Sequence, residues 1–229
     1  IDQQRESGAT SKSPRWAIAY KFAAEQAETK IQKINMQIGR TGTLTPVAEL
    51  DSVFLAGRTI SHATLHNEDE IKRKDIREGD WVVVERAGEV IPKVIGPVVA
   101  RRTGKENKFV MPVSCPICNA QIIKPEGEAA SYCINTACPA QFERLLIHFV
   151  GRSGMNIDGL GEKLALLIID GNLAHDISDI FFIKKEQLIA LEGMGERSVD
   201  KLYQAIEKSK TRPFENILVA LGIRHIGLE

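Results

Sequence analysis

The sequence CPICNAQIIKPEGEAASYCINTAC, residues 115–138, contains all four cysteines of the chain. It separates two segments that differ in their pattern of apolar and polar residues. Its cysteines form a C-x2-C pair, Cys115 and Cys118, and a C-x4-C pair, Cys133 and Cys138, with 14 residues between the pairs. Two such pairs present four thiolates to one ion, which is the ligand set of a structural zinc site with no open position. The spacing favours zinc over the alternatives, which are four buried thiols or two disulfides.

The segment before the cysteines is predicted to form short β-strands. Residues 31–40 alternate apolar and polar side chains and end in a turn, Gly39-Arg40-Thr41-Gly42. Further strands are predicted over residues 16–22, 43–50, 53–60, 81–86 and 89–95, and a short helix over residues 67–73, which begins with an Asn followed by acidic residues. Several short strands with one interposed helix are typical of a small barrel of the OB type.

The segment after the cysteines is predicted to be helical. From about Gln141 onward, apolar residues recur at helical spacing. Two breaks share one pattern, IDGLG at 157–161 and LEGMG at 191–195, and they lie 34 residues apart. Such a repeat, with a related Gly222…Gly227, indicates helix-hairpin-helix units. The expected fold class is therefore a multidomain α+β protein: an OB-type β-barrel, a small four-cysteine zinc finger and an all-α helix-hairpin-helix domain.

Composition excludes several classes of protein. Thirty Lys and Arg balance thirty Asp and Glu among 229 residues, so no general positive field attracts a polyanion. The longest apolar run, residues 164–169, is far shorter than the roughly 20 residues that cross a bilayer. No secretory signal pattern opens the chain, and with the clustered cysteines this favours a reducing cytosol. Because the first residue is Ile1 and not Met, we expect a fragment of a longer protein.

The glycine turns admit two interpretations. Glycine can simply permit a positive φ between two helices. Alternatively, Gly159, Gly161, Gly193 and Gly195 leave the N–H groups at a helix N-terminus open to a phosphate. The repetition favours phosphate, and such contacts bind nucleic-acid backbone and not base sequence. A dinucleotide-binding motif is disfavoured, because Leu164 occupies the third glycine position.

Four other residues are candidates for phosphate contacts. Lys21 lies at the end of the strand predicted over residues 16–22, where it is either solvated or a point charge for a phosphate. Arg40 and Thr41 lie in the glycine-bounded turn, and Arg86 precedes another predicted turn. Each is weak evidence alone, because exposed arginines at turns are common.

Several motifs together resemble one family. PRWAIAYKF at 14–22 resembles the final nucleotidyltransferase motif of bacterial NAD-dependent DNA ligases. Their OB domain is similar to three segments here, GRTGTLTPVA at 39–48, ATLHN at 63–67 and RAGEVIP at 86–92. Their zinc finger resembles the four-cysteine segment, and their first hairpin resembles MNIDGLG at 155–161. The resemblance implies four parts: residues 1–23 as the C-terminal edge of the adenylation domain, 24–110 as the OB domain, 111–140 as the zinc finger, and 141–229 as a truncated helix-hairpin-helix domain.

The resemblance also implies an activity and its requirements. In this family a lysine takes AMP from NAD, AMP passes to the 5′-phosphate of a nick in double-stranded DNA, and the 3′-hydroxyl displaces it. Lys21 would neutralise the AMP phosphate, and Mg²⁺ or Mn²⁺ would serve the complete enzyme. No Lys-x-Asp-Gly motif occurs in these residues, so we expect this fragment to be inactive alone. The resemblance further implies a bacterial, cytoplasmic, nucleoid-associated monomer that acts in replication and repair and contacts no membrane.

Two alternatives remain at this point. The chain could be a non-catalytic nucleic-acid-binding scaffold of a DNA repair or RNA-processing factor, with residues 16–22 an ordinary edge strand. A hydrolytic zinc enzyme is disfavoured, because four cysteines fill every coordination position.

Overall fold

The computed structural model describes residues 1–10, 13–18, 20, 23–86, 91–223 and 225–227 of the 229-residue chain. The helices are α1 Asp2–Ser7, α2 Glu68–Lys74, α3 Pro139–Val150, α4 Glu162–Asp170, α5 Lys185–Ile189, α6 Glu196–Ser209 and α7 Phe214–Ala220. The strands are β1 Glu25–Ile38, β2 Thr43–Leu55, β3 Arg58–Thr64, β4 Arg77–Glu78, β5 Trp81–Arg86, β6 Lys93–Pro97, β7 Asn107–Lys108, β8 Ile122–Ile123 and β9 Ser131–Cys133. Two short 3₁₀ helices cover Val99–Arg101 and Ile177–Phe181.

Five of these strands close a barrel, which confirms the predicted OB architecture. β1 is antiparallel to both β2 and β5, β2 pairs with β3, and β5 pairs with β6. The ring closes where Thr64 of β3 lies beside Lys93 of the parallel strand β6. Alternate side chains point inward, because successive residues of a strand face opposite sides. The barrel core consists of Ile31, Ile34, Ala48, Leu50, Leu55, Ile60, Ala63, Leu65, Ile71, Ile76, Val82, Val84 and Val94.

The predicted short helix is confirmed as α2, which connects β3 to β4. Asn67 is its N-cap, and the side-chain oxygen of Asn67 accepts a hydrogen bond from the N–H of Glu70 at 2.9 Å. The helix ends at Asp75, whose φ is 51°. Its Ile71 is buried in the barrel core.

A buried ion pair anchors the chain after the last barrel strand. Arg102 donates from Nε and Nη2 to the two carboxylate oxygens of Asp80 at 2.7 and 2.8 Å. Asp80 is only 1% exposed, and it also accepts the N–H of Arg77 at 2.8 Å. Removal of one partner from such a pair typically costs about 3–5 kcal/mol. This contact therefore holds the segment that leads toward the cysteines against the barrel.

The barrel sheet continues into the cysteine segment. β9 is antiparallel to the start of β2, with Thr43 opposite Tyr132 and Leu44 opposite Ser131. β8 pairs with β9 and completes a seven-stranded sheet. The cysteines share a small core with the barrel residues Ile38 and Leu44.

The helices after the cysteines enclose a second large core. α3 packs against α4, α7 and the second 3₁₀ helix, and Phe149 meets Phe181 edge to face at 6.1 Å. The buried residues of this core are Leu146, Phe149, Val150, Met155, Ile157, Leu160, Leu164, Ala165, Ile168, Ala174, Ile180, Ile183, Leu188, Val199, Leu202, Ile206 and Ala220. Within the described part of the chain, no helix has the length and apolar character that a membrane crossing requires.

The strand predicted over residues 16–22 is wrong where the structure describes it. Trp16, Ile18 and Tyr20 are 50%, 97% and 81% exposed, and none of them lies in a strand. An alternating apolar pattern becomes a strand only where another strand pairs with it, and the bridge recorded nearby joins Ala9 to Pro14 instead. Lys21 and Phe22 lie outside the described residues.

The position of the turn between β2 and β3 also differs from the prediction. β2 continues through Asp51 to Leu55, with an irregular register between Glu49 and Val53. The turn lies at Ala56 and Gly57, both with positive φ, inside the piece predicted as one strand over residues 53–60. Polar residues at 51 and 52 interrupt the apolar pattern without ending the strand, because a bulge absorbs them. The strand predicted over residues 89–95 begins at Lys93 among the described residues.

Candidate metal centre and nucleic-acid interface

The four cysteine sulfurs converge on one point. All four Sγ atoms lie within 4.8 Å of one another, with Cys115 and Cys138 4.0 Å apart and Cys118 and Cys133 3.5 Å apart. The four cysteines are free thiols. Among the described residues they are the one group of His, Cys, Asp or Glu side chains placed to share a metal ion.

Local backbone structure positions each thiol. A tight turn follows Cys115, whose N–H donates to the carbonyl of Ala120 at 2.8 Å and whose carbonyl accepts the N–H of Asn119 at 2.9 Å. Cys133 ends β9, and Cys138 is the N-cap of α3. The chain thus delivers one pair from a turn and the other from the edge of the barrel sheet and the start of a helix.

The thiols of the centre differ in electrostatic environment. Burial raises the pKa of Cys133 to about 12, and burial also raises the pKa of Cys138. Cys118 differs, because a hydrogen bond from the backbone N–H of Ala120 lowers the pKa of its thiol to about 6. Buried thiolates are costly without a compensating charge, which a divalent ion supplies.

The dimensions fit zinc. Four sulfurs about 2.3 Å from a tetrahedral Zn²⁺ lie about 3.8 Å from one another. Two of the sulfur pairs, at 3.5 and 4.0 Å, bracket that separation, and no pair exceeds 4.8 Å. His148 does not join the site, because its Nε2 donates to the carbonyl of Val219 at 2.7 Å. The cysteines therefore form a closed, structural zinc-binding site, as the sequence predicted.

The helices α3 to α7, which follow the cysteines, form the helical region. Its two glycine turns have the same geometry. Gly159 and Gly193 have φ values of 84° and 78°. Gly161 and Gly195 are the extended N-caps of α4 and α6, and neither helix has a side-chain cap hydrogen bond. A Cβ added at any of the four glycines would have no neighbour within 4 Å among the described residues. The N-termini of both helices thus face open space.

The barrel turn of residues 39–42 lies beside Gly222 of the helical region. The turn is closed by hydrogen bonds from Gly39 N–H to Thr43 O at 2.8 Å and from Gly42 N–H to Gly39 O at 2.9 Å. A Cβ on Gly222, whose φ is 66°, would lie 3.3 Å from the Nε of Arg40. Arg40 is exposed, and the Thr41 hydroxyl lies 3.1 Å from that of Thr43. The structure therefore brings Arg40 to the helical region, and Thr41 follows it in the turn.

One predicted contact residue, Arg86, is not brought to this surface. Arg86 is 7% exposed, and its Nη1 donates to the carbonyl of Ala56 at 3.2 Å. A buried guanidinium held by a backbone carbonyl supports the barrel and offers little to a phosphate, so its contact with DNA stays a prediction without support. Lys21 lies outside the described residues, so its role also stays a prediction.

Sequence reasoning missed one residue of the metal centre. Gln141 is 8% exposed, and its Nε2 donates to the carbonyls of Cys133 and Asn135 at 3.1 and 2.9 Å. A signal was present, since a glutamine three residues after Cys138 stands in an apolar helix. The pattern alone does not reveal which carbonyls it meets.

Comparisons with known proteins match two domains of the chain. Residues 28–106 match the NAD-dependent DNA ligase OB-fold domain, and residues 114–140 match the NAD-dependent DNA ligase C4 zinc finger domain. The DNA ligases of Listeria innocua and Bacillus subtilis are 51% and 52% identical over 227 residues, 99% of this chain and 34% of each relative. The DNA ligase of Clostridioides difficile is 52% identical over 229 residues, 100% of this chain and 34% of that relative.

A five-stranded barrel joined by its sheet to a four-cysteine zinc finger defines a modular protein of the OB-fold class. Two of its domains match this family, and half of its residues along the whole chain are shared with DNA ligases. The chain therefore belongs to the NAD-dependent DNA ligase family. The chain spans about a third of the length of the curated relatives it matches.

Proposed function

We propose that this chain is the DNA-binding segment of an NAD-dependent DNA ligase that seals nicks in double-stranded DNA in replication and repair. We assign residues 1–23 to the edge of the adenylation domain, 24–110 to the OB domain, 111–140 to the zinc finger, and 141–229 to a helix-hairpin-helix domain. The domain matches over residues 28–106 and 114–140 support the two middle parts of this division.

The observation that carries the proposal is the matched pair of glycine turns. Both present an uncapped helix N-terminus, at Gly161 and Gly195, behind a glycine of positive φ. The N–H groups at such a terminus and the helix dipole attract phosphate. Among the described residues, no atom lies within 4 Å of a Cβ added at these glycines, so a DNA strand can approach the backbone closely. The N–H of Gly159 itself donates to Oδ1 of Asp158 at 3.1 Å, which leaves the N–H groups of the helix N-termini for phosphate. Two turns of one geometry suit a duplex, whose phosphates repeat along its axis.

The barrel turn adds the charge that the glycine turns lack. Arg40 is an exposed cation beside Gly222 of the helical region. Guanidinium binds phosphate through paired donors, and the hydroxyl of Thr41 can donate to the same strand. Barrel and helical regions would then hold one duplex from two sides without a strongly basic surface.

The metal centre has a structural role in this proposal. Bound zinc would stabilise the cysteine segment and hold the barrel strand β2 and the start of α3 in fixed positions. Its four protein ligands leave no position for water or substrate.

Chemistry belongs to the longer protein in this proposal. A lysine there would attack the α-phosphate of NAD with Mg²⁺ or Mn²⁺ present and release nicotinamide mononucleotide. AMP would then pass from the lysine to the 5′-phosphate at a nick, and the 3′-hydroxyl would attack that phosphate and release AMP. Lys21 is proposed to neutralise the AMP phosphate, a type of contact worth about 10²–10³ in rate. The 229 residues contain no Lys-x-Asp-Gly motif that would supply the nucleophile.

Direct titration tests DNA binding. A fluorescent duplex with one central nick is added to the zinc-loaded chain, and anisotropy is recorded from low to physiological salt. We expect the monomeric chain to bind saturably. The logarithm of its association constant should fall linearly with the logarithm of the salt concentration, with a slope that reflects a few phosphate contacts. Absence of binding at low salt would overturn the proposed function.

Labelled NAD tests where the chemistry resides. The chain incubated with adenine-labelled NAD and Mg²⁺ should stay unlabelled, and a covalent AMP adduct would show that the nucleophile lies in these residues. In a full-length ligase that carries this segment, Lys21→Ala should slow formation of the adduct. A wild-type rate of adenylation in that variant would contradict the role proposed for Lys21.

A further inference from the structure

The backbone of the metal ligand Cys133 is held on both sides. Its N–H donates to the carbonyl of Gly42 in the barrel turn at 2.8 Å. Its carbonyl accepts a hydrogen bond from Nε2 of Gln141, in the first turn of α3, at 3.1 Å. Cys133 is therefore tied at once to the barrel and to the first helix of the helical region.

Gln141 connects α3 to the cysteine segment through one buried amide. The same Nε2 donates to the carbonyl of Asn135, at 2.9 Å, between the last two cysteines. Gln141 lies three residues after Cys138, which is both a metal ligand and the N-cap of α3. Both protons of the amide are thus used, on two carbonyls that flank the metal centre.

The barrel turn packs directly on this amide. A Cβ at Gly42 would lie 2.4 Å from the carbonyl oxygen of Cys133 and 3.1 Å from Nε2 of Gln141. Gly42 has a φ of 79° and is buried. Arg40 and Thr41 immediately precede this contact, so the turn has little freedom to move while Cys133 and Gln141 stay in place.

We propose that Gln141 is a positioning residue that couples occupancy of the four-cysteine site to the conformation of the barrel turn, residues 39–42, and thereby sets Arg40 and Thr41. The statement about Arg40 and Thr41 as DNA contacts rests on the proposed function; the coupling between metal and turn does not. Coupling of this kind is reciprocal, so a disordered turn would also weaken metal binding.

Two measurements on the whole chain test the coupling. Zinc affinity is measured by competition with a chromophoric chelator, and amide hydrogen exchange is measured over residues 39–44 of the zinc-saturated protein. The hairpin turn at residues 55–58, at the other end of β2, serves as the internal reference. Removal of zinc from the wild-type chain should speed exchange over residues 39–44 and leave residues 55–58 unchanged.

Gln141→Glu replaces the donating amide by a carboxylate that faces two carbonyls. Zinc affinity should fall about tenfold, as is usual when a partner of a metal ligand is lost. Exchange over residues 39–44 should rise even at full zinc occupancy. Gln141→Met, which is neutral and of similar length, should show the same two changes and excludes an effect of charge alone.

Gln187→Glu is the matched control. Gln187 also lies in the first turn of a helix, α5, but its Oε1 accepts the N–H of Lys184 at 3.0 Å. A carboxylate keeps that acceptor, so zinc affinity and exchange should match the wild type.

Either of two results would overturn the coupling. One is wild-type zinc affinity with wild-type exchange over residues 39–44 in both Gln141 variants. The other is exchange that rises equally at residues 55–58, since Gln141 would then only stabilise the chain as a whole. Neither readout uses DNA. If the chain fails to bind a nicked duplex, the proposed function is wrong, but the test of the coupling is unaffected.

Discussion

Two kinds of glycine turn occur in this molecule, one enclosed by protein and one open. At the junction of barrel and zinc site, a Cβ on Gly42 would lie 2.4 Å from the carbonyl of Cys133. In the helical region, Gly161 and Gly195 have no neighbour within 4 Å of the same position. The enclosed glycine therefore serves contacts within the protein, whereas the open glycines leave room for something outside it.

The comparison shows why glycine content alone does not identify a binding site. Gly42, Gly159 and Gly193 share a positive φ between 78° and 84°. What distinguishes them is the space around each residue, which depends on tertiary packing. The open pair also begins two helices whose N–H groups lack side-chain caps, and this combination favours an anionic ligand.

The largest expected effect breaks the enclosed junction. Cys133→Ser removes one thiolate and should abolish stoichiometric zinc binding, because the site has no spare ligand. Exchange should rise over residues 114–140 and over the start of β2, while the barrel core stays protected. Thr136→Ala, an exposed change between the last two ligands, should keep one zinc per chain by metal analysis. Full zinc in Cys133→Ser would contradict the four-cysteine assignment.

The next effect separates crowding from backbone strain. Gly42→Ala meets both a positive φ and the carbonyl of Cys133, and should lower the free energy of unfolding by about 3 kcal/mol or more. Gly57→Ala has a similar φ of 75° but open space, and should cost about 1 kcal/mol. Denaturant unfolding of the zinc-loaded proteins measures both. Equal losses would mean that the junction is not crowded.

The open turns predict the opposite pattern, with little change in stability and a change in binding. Gly161 and Gly195 have negative φ and open space, so Gly161→Ala with Gly195→Ala should cost less than about 1 kcal/mol each in unfolding free energy. The methyl groups would hold a phosphate away from the helix N–H groups. Affinity for a nicked duplex should therefore fall about tenfold by anisotropy.

A glycine in the barrel provides the control for that experiment. Gly96 in β6 also has no neighbour within 4 Å of an added Cβ, but it begins no helix. Gly96→Ala should bind the nicked duplex as the wild type does. If the double helical-region variant also binds like the wild type, the open turns do not contact DNA.

The smallest expected effect is a difference in acid sensitivity. Hydrogen bonds from Arg73 lower the pKa of Glu70 to about 2, and those from Arg77 lower the pKa of Asp75 to about 2. Because these folded-state values lie below the ordinary 4.5 and 3.8, their contribution to stability is present above those values and is lost as pH falls toward 2. Stability of the barrel should thus be nearly constant from pH 7 to 5.

Zinc should be released at a higher pH than the one at which the barrel loses stability, because protons compete with the metal for the thiolates. Acidification is therefore expected to produce two transitions, followed by a zinc indicator and by circular dichroism. A single transition in which zinc release and loss of strand signal coincide would contradict the separation of junction and barrel.

The sequence predicted those parts of the fold that rest on local patterns. The cysteine spacing indicated the metal centre, and Asn67 with its acidic neighbours indicated α2. Pattern failed at residues 16–22, where Trp16 and Ile18 alternate as in a strand but are exposed. It also placed the hairpin turn incorrectly, because the bulge between Glu49 and Val53 lets one strand continue through polar residues.

The site was predictable in composition but not in arrangement. The sequence identified Arg40 and Gly222 separately, 182 residues apart in the chain, and only packing brings them together. Arg86 shows the converse, since an arginine beside a predicted turn proved to be buried. Gln141 was missed because its role depends on two carbonyl groups that no sequence pattern encodes.

The most direct measurement compares nicked-duplex binding by the zinc-loaded and zinc-depleted chain at one salt concentration. If the metal-centred junction aligns the barrel turn with the open glycine turns on one duplex, depletion should weaken binding about tenfold or more, and added zinc should restore it. Equal affinity of the two forms would contradict the account.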